Sequence, residues 1–537
     1  MEKCKKGTFI NVTALFAAII LLCICTQRLG AAEPQKNVPS KAKTAATKTP
    51  TPVYGGTLRV AEQYDGTSIG YPPKMLRVNS SRQAAPAIET LFRVDTTGNT
   101  VPWLAESSRN DVKGKSVTIT LRKGVKFHDG TDFDAAAVKW NLDQAIAAKT
   151  QGTEMFKSVD VLDNFAIRIN LTEWNSTIIT TLSQSVGMMI SPTAYKTNGE
   201  EWCARNPVGT GPFQFVSWEK DVKTVYKKFN SYWQKGKPYL DEIVYTTIAD
   251  QLTQLLSLKK GEVDVALWIS PNEIPALEKD GFVMNYLTSA SGSMGLVPDS
   301  ANPKSPFADV RVRRATRHAI DAEAIVKTLY FGLGESANQW AMKKHWGYNP
   351  AVKGYPYDPA KARKLLAEAG YPNGFKTKLG YRTNPLDDQV FTAIQGYLKA
   401  VGIDAELEPM TPGRYDQMAM TQGGKWEGLI INALSPNPDI AAGLAARYSG
   451  GGIYYNSMLV PEDYIQAIKN AVSAPDFKTK QKWVHETIKL MIDKYALQIS
   501  IAARYAFVAN RPTVHNHGIL ATLATGIWTP EDTWLEK

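Results

Sequence analysis

Few side chains in this 537-residue sequence are spaced as a catalytic centre requires. Ser293, in Gly292-Ser293-Met294-Gly295, lacks the G-x-S-x-G spacing that exposes a nucleophilic serine on a tight turn. Gly209-Thr210-Gly211-Pro212 leads into the strand-like Phe213 and not into a helix, unlike a loop that binds phosphate. The sequence therefore favours a binding protein over an enzyme.

The residues that could hold a metal ion or transfer protons are also dispersed. His515 and His517 are close in sequence, but two ligands on a loop do not make a zinc site without further donors. Asp387 and Asp388 are adjacent, which is typical of a solvated turn or a helix start. We expect no metal site, no cofactor and no catalytic residues.

Alternating strands and helices must supply the scaffold for any ligand site. In the first half of the chain, Asp134 is placed to cap a helix that continues through Ile146, and Asp250–Leu258 is predicted to be a second helix. The predicted strands of this half are Thr57–Ala61, Val117–Leu121, Phe165–Leu171, Phe213–Trp218, Val222–Lys228, Ile243–Ile248 and Val263–Leu267.

A second block of alternating elements begins near Val310. Its predicted helices are Arg311–Ile320, Ala322–Tyr330, Ala360–Ala369, Val390–Val401 and Gln481–Asp493, and its predicted strands are Lys376–Tyr381, Ala405–Glu408 and Leu497–Ile501. The βαβ order implies a sheet packed by helices. The chain is therefore predicted to be α/β, with two lobes and an extra segment.

The N-terminal residues predict export. Lys3, Lys5 and Lys6 precede the apolar run Val12–Cys25, and small residues end at Ala32, so residues 1–32 have the pattern of a cleaved signal peptide. An uncleaved anchor is the alternative, although the run is shorter than the roughly 20 residues that span a bilayer. Leu22 before Cys23 and Ile24 before Cys25 disfavour a lipid anchor.

The basic excess of the chain is concentrated near its N-terminus. Residues 33–53 are rich in Lys, Pro and Thr without apolar periodicity, which predicts a flexible tether. Residues 1–53 carry eight basic and two acidic side chains, so the remaining body keeps a formal charge of +5 out of +11. We therefore expect no nucleic-acid partner. Cys203 would be the single thiol of the mature chain, typical of a small buried side chain.

Several local motifs resemble one protein family. The residues that carry the resemblance follow in the same order as in the family: Leu121-Arg122-Lys123-Gly124-Val125-Lys126-Phe127-His128-Asp129-Gly130-Thr131, Asn206-Pro207-Val208-Gly209-Thr210-Gly211-Pro212-Phe213, Asn230-Ser231-Tyr232-Trp233, Gly261-Glu262-Val263-Asp264, Pro306-Phe307-Ala308-Asp309-Val310-Arg311-Val312-Arg313 and Asp358-Pro359-Ala360-Lys361-Ala362. From Gly55 to its end the chain resembles the bacterial extracellular solute-binding proteins of family 5, the receptors of peptide-type and nickel-type importers. The motifs themselves are interpreted as structural and not as ligand contacts.

The resemblance implies a two-lobed periplasmic-binding-protein fold, type II-like, with an extra subdomain in lobe one. Lobe one would comprise residues 54–288 and 504–537, with 72–205 as the added subdomain, and lobe two would comprise 289–503. Two crossover strands, near Tyr286–Gly295 and Ser500–Phe507, would form the hinge.

The resemblance also indicates candidate ligand contacts. Arg382 matches an Arg that holds the ligand carboxylate in some dipeptide-binding relatives, with a salt bridge as the alternative. The position that holds an Asp for the ligand amine in peptide-binding relatives falls near Leu434, so that amine contact is expected to be missing. Further candidates follow elements whose ends should face the crevice, with the lobe core as the alternative: Tyr71, Trp268, Trp340, Tyr455 and Asn432.

Together these expectations predict a periplasmic receptor of an ATP-driven importer. The protein would be a monomer that closes on a small organic or peptide-like solute and delivers it to permease subunits. The ligand would carry a carboxylate or another acceptor and need no free amine. The alternatives are an ordinary peptide bound through Asp439 and a metal chelate held by Arg and Trp. A secreted hydrolase of peptides or glycans and a sensory or chaperone-like binding protein are the other functions that we consider.

Overall fold

The strands of the protein form two large mixed sheets and several smaller ones. The computed structural model describes residues 51–75, 78–286, 293–383, 385–421, 423–432, 437–450, 454–519, 528 and 530–537. Pro52–Lys537 form one compact unit. The expected signal peptide, 1–32, and nearly all of the expected tether, 33–53, lie outside the described residues.

The described strands are numbered in chain order. They are β1 (Thr57–Glu62), β2 (Phe92–Val94), β3 (Thr100–Pro102), β4 (Ala105–Asp111), β5 (Ser116–Leu121), β6 (Phe156–Asp163), β7 (Ala166–Leu171), β8 (Phe213–Glu219), β9 (Lys223–Lys228), β10 (Glu242–Thr247), β11 (Val265–Leu267), β12 (Val283–Tyr286), β13 (Ser293–Pro298), β14 (Gly334–Ser336), β15 (Phe375–Arg382), β16 (Ile403–Met410), β17 (Leu429–Asn432), β18 (Ile499–Arg504), β19 (Phe507–Asn510), β20 (Val514–His515) and β21 (Trp534–Leu535).

The described α-helices are numbered in the same way. They are α1 (Val78–Ala84), α2 (Ala135–Ala147), α3 (Ile178–Thr181), α4 (Pro192–Asn198), α5 (Glu200–Arg205), α6 (Gln251–Lys260), α7 (Ile274–Lys279), α8 (Val310–Ala319), α9 (Ala322–Leu329), α10 (Pro359–Glu368), α11 (Pro385–Ala400), α12 (Pro412–Ala419), α13 (Ile440–Tyr448), α14 (Glu462–Val472) and α15 (Phe477–Lys489).

Local capping explains why several helices begin where the sequence predicts. The Asp134 carboxylate accepts a hydrogen bond of 2.8 Å from the backbone N–H of Ala137, and Asp250 accepts one of 2.8 Å from Thr253. Such caps satisfy N–H groups that the first helical turn leaves without partners. Helix α11 begins at Pro385, five residues earlier than predicted, because a proline is tolerated in the first turn.

Two details differ from the sequence analysis. Asp387, expected in a solvated turn or at a helix start, does lie at the start of α11, but only 2% of its surface is exposed, so the expected solvation is absent. Helix α15 begins at Phe477, because Asp476 caps it, and not at Gln481 as predicted. Both differences come from capping and tertiary packing, which apolar periodicity does not report.

The seven-stranded sheet has the order β12-β19-β11-β1-β10-β9-β8. Strand β1 pairs in parallel with both β10 and β11, while β19 pairs antiparallel with β11 and β12. Its core contains fully buried side chains such as Val60 and Tyr245. Burial of an apolar side chain such as that of Val60 contributes about 1.5–3 kcal/mol to stability.

The six-stranded sheet has the order β14-β18-β13-β17-β15-β16. Strand β15 pairs in parallel with β16 and β17, and β13 pairs antiparallel with β17 and β18. Helices α8 to α15 belong to the same region of the chain, and their apolar faces form one core cluster with these strands.

A separate four-stranded antiparallel sheet, β4-β5-β7-β6, lies within residues 105–171. Val117, Ile119 and Leu121 of β5 are fully buried, whereas Thr120 between them is exposed. This period of two places one face of the sheet in a core that also contains Leu142 of α2.

The chain passes between the two large sheets twice. It leaves the seven-stranded sheet after β12 and enters the six-stranded sheet at β13, through residues 287–292, which lie outside the described residues. It returns between β18 and β19, which only Tyr505 and Ala506 separate.

Candidate functional site

In each large sheet, candidate residues lie at the carboxyl ends of parallel strands. Arg382 ends β15 and Asn432 ends β17, and the parallel register pairs Leu379 with Leu429, each three residues before the end of its strand. In the other sheet, Trp268 directly follows β11, whose parallel partner β1 ends at Glu62. Ligands of open α/β sheets bind at such carboxyl edges.

Both carboxyl edges border the crossovers between the sheets. Asn432 pairs with Gly295, close to Ser293, where the chain enters the six-stranded sheet. The backbone N–H of Ile269 donates to the carbonyl of Phe507 at 3.1 Å, where the chain re-enters the seven-stranded sheet. The two edges therefore line the same crossover region, where a crevice between lobes would lie.

In the six-stranded sheet, three candidates share one polar and aromatic cluster. The Tyr455 hydroxyl donates to Asn432 Oδ1 at 3.1 Å and lies 3.3 Å from the hydroxyl of Tyr415. The Arg382 guanidinium lies 5.7 Å from the centre of the Tyr415 ring. Asn432 Nδ2 donates to the carbonyl of Ser293 at 3.5 Å. The cluster thus holds Asn432 beside Arg382 at the strand ends.

Trp340 is connected to this cluster through Tyr448. The Tyr455 ring stacks on Tyr448 with centres 5.3 Å apart, and Trp340 meets Tyr448 edge-on at 5.3 Å. Trp340 is fully buried and Tyr455 is 1% exposed. Their packing favours a supporting role, and ligand contact by either residue stays a prediction.

In the seven-stranded sheet, Trp268 forms a second cluster with two residues that the sequence analysis missed. Its indole Nε1 donates to Glu62 Oε1 at 3.2 Å, and the Arg82 guanidinium lies 5.2 Å from the centre of its ring. Arg82 Nε donates to Glu62 Oε2 at 3.0 Å, with both side chains fully buried. Burial raises the pKa of Glu62, and the charge of Arg82 opposes that rise.

The sequence contains only a weak signal for this pair. Glu62 ends a strand in which it follows the apolar Val60 and Ala61, and Arg82 lies in a helix of seven residues. Nothing in their spacing of 20 residues predicts that the two side chains meet.

Tyr71 is placed apart from the strand ends. Its hydroxyl donates to Gln144 Oε1 at 3.2 Å, and its ring centre lies 5.3 Å from that of Tyr195. With 5% of its surface exposed, it packs in the core of the seven-stranded sheet, nine positions after the end of β1. Its role as a ligand contact stays a prediction.

Asp439, the alternative partner of a ligand amine, has a different role. Its Oδ1 accepts from the backbone N–H groups of Ala441 and Ala442 at 2.9 and 3.2 Å, which caps α13. Its Oδ2 forms an ion pair with Lys480. These contacts occupy both carboxylate oxygens and leave little capacity for a ligand amine. Leu434, the expected position of the missing amine contact, lies outside the described residues.

The segment that follows β7 of the four-stranded sheet contacts the end of α14, a helix that packs with the six-stranded sheet. The Trp174 indole donates to the carbonyl of Ala474 at 2.9 Å, and the Ser176 N–H donates to the carbonyl of Val472 at 2.7 Å. A cavity of about 340 Å³ adjoins this contact, lined by Trp174, Trp346 and Phe477 among others. Residues 172–177 therefore bridge two parts of the fold that are distant in sequence.

The described residues include no group of three or more His, Cys, Asp or Glu side chains that could hold a metal ion. His515 stacks on Trp534 with ring centres 4.0 Å apart, and His517 Nδ1 accepts from the N–H of Ile519 at 3.0 Å. Cys203 is buried, as predicted, and burial raises the pKa of its thiol to about 11. Across the described ranges, no helix combines the length and apolar character needed to cross a membrane.

Solved structures share this architecture. The periplasmic binding protein DppA of Helicobacter pylori, solved in complex with the peptide STSA, is 26% identical, with a TM-score of 0.72 over 90% of this chain and 99% of that chain. The substrate-binding protein CtaP of Listeria monocytogenes, 20% identical, shares the fold with a TM-score of 0.79 over 90% of this chain and 100% of that chain. The predicted two-lobed α/β binding-protein fold is thereby confirmed.

Curated relatives and a family match agree with this fold. The glutathione-binding protein GsiB of Escherichia coli K12 is 36% identical over 346 residues, which covers 63% of this chain and 67% of that protein. GsiB of Salmonella paratyphi A is 35% identical over 345 residues, with the same coverage. Residues 99–455 match the family described as "Bacterial extracellular solute-binding proteins, family 5 Middle". The resemblance predicted from the sequence is confirmed, and the chain belongs to the bacterial extracellular solute-binding proteins of family 5.

Proposed function

We propose that the protein captures a peptide-like solute with a carboxylate group and delivers it to the permease of an ATP-driven importer. The lobes would close on the solute at the two carboxyl edges, and no chemical step would be needed. Closure requires only that the closed state bind the solute more tightly than the open state.

The side-by-side placement of Arg382 and Asn432 is the observation that carries this proposal. Arg382 is half-buried, and among the described residues it has no carboxylate within ion-pair distance. A guanidinium in this position can bind a ligand carboxylate through two parallel hydrogen bonds. Asn432 beside it is buried and held by Tyr455, so it can present its amide in one orientation.

The relatives indicate which solutes to test first. Several are called glutathione-binding proteins, and one solved neighbour holds a four-residue peptide. Glutathione and small peptides carry the carboxylate that Arg382 would bind. Because Asp439 is occupied by Lys480 and by the N-terminus of α13, we propose that blocking the ligand amine costs little affinity.

Calorimetric titration and thermal-shift measurements with glutathione, dipeptides, N-acetylated peptides and C-terminally amidated peptides test this function. Ligand at 100 times its dissociation constant should raise the free energy of unfolding by about 2.7 kcal/mol. Arg382→Met should weaken binding of free-carboxylate ligands at least tenfold and leave amidated ligands nearly unchanged.

Lys378→Met is a matched control on the same strand, since Lys378 pairs with Glu427 at the surface. Equal loss of affinity for free and amidated ligands in Arg382→Met would contradict the carboxylate assignment. Turnover of the peptides would instead favour a hydrolase. Unchanged solute uptake after deletion of the gene would favour a sensory or chaperone-like role.

The remaining assignments are proposals of the same kind. We place lobe one at residues 54–288 and 504–537, with the subdomain at 72–205, and lobe two at 289–503. We propose a periplasmic monomer that begins at Glu33 after cleavage and binds no nucleic acid. Intact-mass measurement of the exported protein and light scattering test the processing site and the monomeric state.

A further inference from the structure

One hydrogen-bond donor of the Arg82 side chain has no acceptor among the described residues. Its side chain is fully buried, Nε donates to Glu62 Oε2 at 3.0 Å, and Nη2 donates to Asn79 Oδ1 at 3.0 Å. Nη1 is equally buried and has no hydrogen-bond partner among the described residues. Buried polar groups are nearly always paired, so Nη1 is available to an acceptor that is not among the described residues.

The position of Arg82 points to the ligand as that acceptor. Arg82 bonds the last residue of β1, and its guanidinium lies over Trp268, which follows β11. Both strands end at the carboxyl edge that borders the crossover at Phe507. The unpaired nitrogen therefore belongs to a cluster on the edge where the proposed crevice lies.

The local charges decide what kind of acceptor fits. Glu62 already neutralises Arg82, and Asp65 adds a further negative charge close enough to act on Glu62. A ligand carboxylate at Nη1 would leave excess negative charge in a buried place, which is costly. A neutral carbonyl oxygen satisfies the N–H without that cost.

Arg382 differs in this respect. It has no ion-pair partner among the described residues, whereas Arg82 has Glu62. The two arginines are therefore suited to different groups of one solute, a carboxylate at Arg382 and a neutral carbonyl at Arg82.

We propose that Arg82 Nη1 donates to a backbone carbonyl of the bound solute, so that the site selects molecules with both an amide carbonyl and a carboxylate. This inference rests on the proposed function and names the second recognised group. Arg82, which contacts the end of β1 in the seven-stranded sheet, would then determine specificity together with Arg382 of the six-stranded sheet.

The test combines protein variants with ligand analogues in calorimetric titrations. The probes are glutathione and the dipeptide Ala-Ala, each with an analogue in which one amide is replaced by a trans-alkene, which removes the carbonyl. Arg82→Lys keeps a positive charge beside Glu62 but removes Nη1. Arg59→Lys, on strand β1 with Glu62, is the control, since Arg59 pairs with Asp264 and its side chain is 40% exposed.

Loss of one hydrogen bond should weaken binding about tenfold. For the wild-type protein and Arg59→Lys, we expect the alkene analogue to bind about tenfold more weakly than the parent. For Arg82→Lys, the parent should lose about tenfold and the analogue little, so the two ligands should bind alike. Binding of the analogue also shows that the variant is folded.

Equal weakening of both ligands by Arg82→Lys, or no weakening of either, would overturn the inference. Both outcomes leave the proposed function standing if Arg382→Met still discriminates free from amidated carboxylates. If the wild-type protein binds neither glutathione nor Ala-Ala, the proposed function and this inference fail together. If Arg82→Lys does not fold, the double variant Arg82→Gln/Glu62→Gln, which removes both buried charges, provides the same comparison.

Discussion

Lys480 and Asp439 form a buried ion pair, with side chains 8% and 2% exposed and Nζ 2.5 Å from Oδ2. The same ammonium donates to the carbonyl of Ser176 at 2.8 Å. Asp439 follows the segment after β17, whose last residue is the candidate contact Asn432. The Lys480 ammonium therefore connects Ser176, which follows β7 in the chain, with Asp439, which follows β17.

Lys480→Met should lower the free energy of unfolding by about 3–5 kcal/mol, because it leaves the Asp439 carboxylate buried without its cation. Chemical denaturation of both proteins measures this difference. Lys378→Met, which breaks the exposed pair with Glu427, should cost less than about 1 kcal/mol. Similar small effects from both variants would show that solvent reaches Asp439.

Trp174→Phe should weaken solute binding about fivefold while leaving the site residues intact. The variant keeps an aromatic ring but removes the hydrogen bond from the indole to Ala474, worth about 1 kcal/mol, which we propose stabilises the closed arrangement. Calorimetric titration with the best ligand measures the change. Trp202→Phe, at an exposed tryptophan, is the control, and equal affinities for both variants would mean that the contact also persists without ligand.

Tyr455→Phe should lower stability by about 1 kcal/mol and weaken binding several-fold, because Asn432 loses the donor that holds its amide oxygen. Thermal unfolding and calorimetry of the variant measure both effects. Tyr464 is equally buried, but its hydroxyl has no hydrogen-bond partner among the described residues. Tyr464→Phe should therefore leave stability and affinity nearly unchanged, and a larger loss there than at Tyr455 would contradict the assignment.

Stability should fall as the pH drops from about 6.5 to about 4, partly because of His345. Its Nδ1 accepts from the N–H of Gly347, and its Nε2 lies 3.2 Å from the carbonyl of Pro438, which fits the neutral ring. Burial lowers its pKa to about 4, although Asp439 and Asp95 oppose this shift. Below pH 6.5 the unfolded chain binds the proton more readily than the folded protein, so stability is lost.

His345→Gln isolates this effect from other buried histidines, such as His128 and His517, whose pKa values burial also lowers to about 4. A shift of this size corresponds to about 3 kcal/mol between pH 7 and pH 4. The variant should therefore lose less stability than the wild-type protein over that range in denaturation experiments. Parallel pH profiles for the two proteins would exclude His345 as a contributor.

The order and type of most elements could be predicted because their signals are local. Alternation along Ser116–Leu121 and the cap at Asp134 each act within a few residues. The motifs resembling family 5 predicted the two-lobed fold and directed attention to Arg382 and Asn432, which the structure places at neighbouring strand ends.

The rest of the site could not be predicted because it depends on contacts between distant residues. Glu62 and Arg82 meet only when α1 packs against the end of β1. Trp340 is buried by Tyr448, which lies more than 100 residues later in the chain. Patterns in the sequence do not identify residues that meet across such distances, so the Glu62–Arg82 pair and the burial of Trp340 are seen only in the structure.

Strand β19 has a consequence for biosynthesis. Phe507–Asn510 lies between β11 and β12, inside a sheet whose other strands all precede residue 287. Until residues 507–510 emerge from the ribosome, that sheet lacks an interior strand and its backbone hydrogen bonds on both sides. The seven-stranded sheet is therefore completed only after all strands of the six-stranded sheet, which precede residue 505, have been synthesised.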